Sequence, residues 1–137
     1  VREVFEVMAD TPQHTYQILT KRSRRLRQQA PELTWPPNVW MGVSLETPKQ
    51  LYRAEDLRAV PAAVRFLSCE PLLAPLGEVD FSGIGWLIAG GESGPGYRPV
   101  SADWVRQLRD SCQAACPVLL QAVGRSHPEG RRPRCPS

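Results

Sequence analysis

The stretch VWMGV, residues 39 to 43, has no polar face. A strand sends successive side chains to opposite sides, so a strand that is apolar on both sides must be covered on both. Strands of that kind belong to parallel sheets flanked by helices, not to half-wet antiparallel meanders. The chain repeats the arrangement. HTYQILT (14–20), VRFL (64–67) and WLIA (86–89) are further short runs rich in β-branched, aromatic or apolar residues, and each predicts a strand. Helical patterns lie between them. Residues 1–10 set Val4, Phe5 and Met8 on one face before Thr11-Pro12 stops the helix. SRRLRQQA (23–30) turns Leu26 and Ala30 inward. Thr47 caps the next helix, Pro48 fits its first position, and Gln50 completes a capping box ahead of the stripe Leu51, Ala54, Leu57. Ser101 caps an amphipathic helix with Trp104, Val105, Leu108, Cys112 and Ala115 on one side. The repeat unit of about 25 to 30 residues is that of a βαβ element. An α/β fold with mainly parallel strands follows, either an open sheet or part of a (β/α) barrel.

The strand ends carry the chemistry. The four runs finish in Thr20-Lys21-Arg22, Ser44-Leu45-Glu46, Ser68-Cys69-Glu70 and Gly90-Gly91-Glu92-Ser93. Parallel strands bring these ends to one rim, where ligands bind in α/β folds. Lys21, Arg22, Ser44, Glu46, Glu70, Gly90, Gly91, Glu92 and Ser93 are therefore the expected ligand-binding rim, with Arg98 nearby as an anion partner. GGESGPG is not a dinucleotide fingerprint, because the helix that follows opens only at Ser101. Its glycines instead allow close backbone approach, by a ligand or within a tight turn.

Other features exclude more than they establish. The net charge of +3 is too small to imply a nucleic-acid partner by itself. The basic cluster KRSRRLR (21–27) would suit a phosphate backbone, yet no aromatic residues interleave it to stack bases. A solvated helix face is the simpler expectation, and a nucleic-acid-binding module remains the alternative. No apolar stretch nears the ~20 residues that span a bilayer, so no membrane partner is expected. Cys69, Cys112, Cys116 and Cys135 form no zinc spacing with His14 or His127. Their pattern suits a reduced, cytoplasmic protein.

TPQHTYQILTKR, PPNVWMGVSLET, RFLSCEPLL, WLIAGGESGPGYRP and SADWVRQLRDSC, in this order over residues 1 to 118, resemble the phage gene-product thirty-seven/sixty-eight family. That family is a domain of unknown function similar to radical S-adenosylmethionine (radical SAM) enzymes. The resemblance implies a partial (β/α) barrel over residues 1–118, with the ten rim residues as motif positions. It also implies an iron–sulfur cluster and S-adenosylmethionine for full-length members, held by a cysteine-bearing segment that would precede Val1.

Two departures shape the expectation. None of this chain's cysteines has the close loop spacing that cluster ligation needs, so no cofactor is expected in this chain. A remnant without catalysis of its own is anticipated, or one half of a split enzyme whose partner is a separately encoded N-terminal cysteine-bearing segment. Family members also continue past the last helix as FFKQWGGRTPK, whereas this chain reads LLQAVGRSHPEG over residues 119–130. Codons for the latter, shifted by one base, spell the former. Residues 119–137 are thus expected to be an out-of-frame, poorly ordered tail. A barrel fragment would leave sheet edges unpaired, which predicts marginal stability alone.

Overall fold

The computed structural model describes residues 1–113. Ala115, Cys116 and the 119–137 segment lie outside the described residues. The elements run α1 (Arg2–Asp10), β1 (Tyr16–Thr20), α2 (Ser23–Gln29), β2 (Val39–Ser44), α3 (Tyr52–Arg58), β3 (Val64–Cys69), β4 (Trp86–Ala89) and α4 (Ala102–Gln113). The four strands form one parallel sheet in the order β1-β2-β3-β4.

Register follows from alternation. Val43 lies beside Leu67, and Leu67 beside Leu87, so these side chains share one face. With Met41, Cys69 and Ala89 they join Ala54 and Leu57 of α3 and Val105 and Leu108 of α4 in a single core. The second face carries Trp40, Gly42, Ser44, Phe66, Ser68, Trp86 and Ile88. Trp86 meets Trp40 edge-on at 6.0 Å between ring centroids and lies 5.1 Å from Phe66. Gly42 pairs with Phe66, whose ring occupies the place of a Cβ at Gly42. VWMGV is thus covered by helices on one side and by an aromatic cluster on the other.

Three sequence-based expectations need correction. The first strand begins at Tyr16, not His14. Its partner begins only at Val39, after Pro36-Pro37, so His14 and Thr15 have no strand to pair with. They belong instead to a turn that the Asn38 amide holds by donating to the carbonyls of Met8, Thr11 and His14. In α1 the inward stripe is one residue wide: Phe5 is buried against Trp35 at 4.9 Å, Met8 is half-buried, and Val4 is 52% exposed. The helix after Thr47 opens as a 3-10 turn, Pro48–Gln50, before α3 begins. Its capping box is present: the Gln50 side-chain carbonyl accepts from the Thr47 N–H at 3.0 Å and from the Glu46 N–H at 2.7 Å. Ser101 caps α4 by accepting from the Asp103 N–H at 3.3 Å.

Candidate functional site

All four strands end on the same edge of the sheet, at Thr20, Ser44, Cys69 and Ala89. Beyond β1, the Lys21 ammonium donates to the Glu46 carboxylate that follows β2. Glu46 also accepts from the Gln50 amide at 3.2 Å. These bonds, Lys21 first, hold its carboxyl below the usual range against the opposing effect of burial, and Arg53 adds to them electrostatically. Arg53 is fixed there because its guanidinium donates to the Ser44 carbonyl at 2.9 Å.

Beyond β4, GGESGPG closes on itself. Glu92 accepts from the Arg98 backbone N–H at 2.8 Å and from its Nε at 3.0 Å, while its other oxygen accepts from Nη2 at 2.7 Å. This two-pronged pairing draws the Glu92 pKa down to about 2. It raises that of Arg98, to which Glu46 contributes as well. The two ion pairs are therefore within electrostatic reach of each other. Gly94 and Gly96 take φ of +104° and +72°, a region that strains residues bearing a Cβ. Part of the glycine content is thus turn chemistry, and Arg98 serves as the loop's internal anion partner.

The loop after β3 joins its neighbours through backbone. The Leu72 N–H donates to the Gly90 carbonyl at 2.9 Å, and the Leu73 N–H to the Glu46 carbonyl at 2.9 Å. The Gly90 N–H donates to the Cys69 carbonyl at 3.1 Å. Glu70, followed by a cis bond to Pro71, is exposed and lies over Gly90; a Cβ there would come within 2.7 Å of the Glu70 Cγ.

The rim therefore brings together Lys21, Glu46, Glu92 and Arg98, with Glu70 and Gly90 in contact beside them. Gly91 is half-buried next to Glu92, and Ser93 is exposed. Ser44 is buried on the sheet's second face, opposite Ser68. Arg22 does not join the cluster; it lines a cavity beside α2. Arg53 and the Gln50 contact to Glu46 were not foreseen. The capping box marked Gln50, but nothing in a helical period tells which turn of a helix leans over a strand end.

Cys69 is fully buried, which pushes its thiol up to about 12, with Glu70 adding to the effect. A thiol so placed supplies no thiolate at neutral pH. Within the basic cluster, Arg24 stands over the Tyr52 ring at 5.1 Å and Arg27 pairs with Asp56 at 3.3 Å. Among the described residues no three His, Cys, Asp or Glu side chains come together to hold a metal ion, and no helix is long and apolar enough to cross a membrane.

A family model described as "Protein of unknown function (DUF5131)" matches residues 1–132. No curated protein and no solved structure matches the chain. The chain belongs to the DUF5131 family.

Proposed function

We propose that this chain is a ligand-binding wall of a partial (β/α) barrel of the radical-SAM-like kind, without catalysis of its own. The observation that carries this reading is the strand order, in which each strand lies beside its successor with no reversal. A doubly wound sheet reverses at a switch point, whereas a barrel adds every strand on the same side. Right-handed crossovers then keep the helices on one face, and the contacts of α3 with both α2 and the strands agree with this. The second face, from Trp40 to Ile88, becomes barrel interior.

At the rim, two cations and two carboxylates suit a zwitterionic ligand such as S-adenosylmethionine. Lys21 and Arg98 would take a carboxylate; Glu46 and Glu92 would take an ammonium or sulfonium. Each pair has at least one partner open to solvent, which screens it, so these groups exchange partners with a ligand at little loss. An iron–sulfur cluster does not fit the described cysteines, since Cys69 and Cys112 are both buried in the core. Its thiolates would come from another segment or a partner chain.

Calorimetry tests the reading. S-adenosylmethionine is titrated into the chain alone and into a mixture with a cysteine-bearing segment reconstituted with iron and sulfide. Binding is expected in the mixture, weakened about tenfold when Glu46→Gln removes one charge-assisted contact. Cleavage in the mixture would make the chain the complementing half of a split enzyme. Absence of binding in both arrangements, or binding indifferent to Glu46→Gln and Arg98→Ala, would overturn the reading.

A further inference from the structure

A cavity of about 380 Å³ opens between α1, α2 and the helix-covered face of β1. Phe5, Ile18, Leu26, Leu33 and Met41 give it an apolar body. Its α2 wall is different. Arg22, Arg25, Leu26 and Gln29 all face it, and their i, i+3, i+4, i+7 spacing is that of one helical stripe. A helix that merely closed a core would carry apolar residues along such a stripe. Here three of the four are polar, and two are cations.

The remaining arginines of α2 are engaged inside the protein: Arg24 by the Tyr52 ring and Arg27 by the Asp56 carboxylate. The guanidinium groups of Arg22 and Arg25 have no ion-pair or ring partner among the described residues. The sequence thus leaves two cations without an ion-pair partner, among the described residues, beside a cavity with an apolar interior.

The geometry points to a binding site for a small amphipathic carboxylate, with its hydrocarbon chain among Phe5, Ile18 and Met41 and its head group between Arg22 and Arg25. Guanidinium pairs and carboxylates match in shape as well as charge. The volume lies at the low end of ligand pockets, ~300–1,000 Å³, and suits on the order of ten non-hydrogen atoms. A diacyl lipid is too large. A nucleotide placed with a phosphate between the arginines would bury its sugar hydroxyls against the Phe5, Ile18, Leu33 and Met41 side chains, which offer them no hydrogen-bond partner. The site shares no residue with the rim cluster of Lys21, Glu46, Glu92 and Arg98, so it stands or falls separately.

The test is calorimetric titration of the full chain with octanoate below its micellar concentration. Octan-1-ol serves as the probe without charge and acetate as the probe without chain. Octanoate should bind, octan-1-ol should bind about tenfold or more weakly, and acetate not measurably. Shortening the chain should weaken binding about fourfold per methylene removed. The double variant Arg22→Gln/Arg25→Gln should lower octanoate to the level of octan-1-ol while leaving the melting curve and the octan-1-ol affinity unchanged. Equal binding of octanoate and octan-1-ol would overturn the proposal. So would unchanged octanoate binding in the double variant, no octanoate binding at all, or tighter binding of octyl phosphate than of octanoate.

Discussion

Gly42 and Gly90 are both glycines because another group fills the space of their side chain, but the occupants differ. At Gly42 it is the Phe66 ring, itself buried and packed on Trp86. At Gly90 it is the exposed side chain of Glu70. A buried ring has nowhere to go, whereas an exposed glutamate swings away. Gly42→Ala should therefore destabilise the protein by about 1–3 kcal/mol, and Gly90→Ala by less, as urea unfolding will show. Glu92 gives a pH prediction. Its folded pKa, about 2, lies below the ordinary glutamate value of 4.5, so the unfolded chain binds the proton more readily. The stabilisation is then fully present above 4.5 and fades as pH falls from there through about 2. Melting curves of the protein and of Glu92→Gln should converge over that window and stay separated at neutral pH. The sequence marked GGESGPG as a glycine-dependent stretch, open to a ligand or to a tight turn, with an arginine to hand. It did not show that Arg98 closes the loop on Glu92, or that Gly90 makes room for a residue from the preceding strand end, because both depend on which loops the fold sets side by side.

At the scale of elements, α2 and α3 are tied by a buried polar contact. Ser23 is buried and donates to Asp56 at 2.7 Å, and Arg27 reaches the other carboxylate oxygen. Ser23→Ala removes a hydrogen bond to a charged acceptor that has little water to replace it, which should cost about 1.5–3 kcal/mol in urea titration. Each helix and strand was legible from periodicity and capping residues, because those signals are local. Asp56 was not, since a carboxylate beside the Ala54–Leu57 stripe looks like a solvent-facing residue until Ser23 arrives from another helix. The start of β1 was missed for a similar reason: strand propensity in His14 and Thr15 means nothing without a neighbour to pair with.

For the whole molecule, VWMGV announced a covered parallel sheet, while strand order was beyond the sequence, which does not say on which side of its predecessor each strand is added. The order leaves β1 and β4 as outer strands, each bonded to one neighbour among the described residues. Leu19 on β1 is 49% exposed on the second face. Such an edge invites pairing with another chain. Sedimentation velocity should show association that grows with concentration and is suppressed by Leu19→Lys. The backbone bonds from Leu72 to Gly90 and from Leu73 to Glu46 have a mechanical consequence. They lace the three loops like a hem, so none can lift without loosening the next. Amide protons at Leu72 and Leu73 should then exchange with solvent at one shared rate, the rate at which the whole hem comes undone.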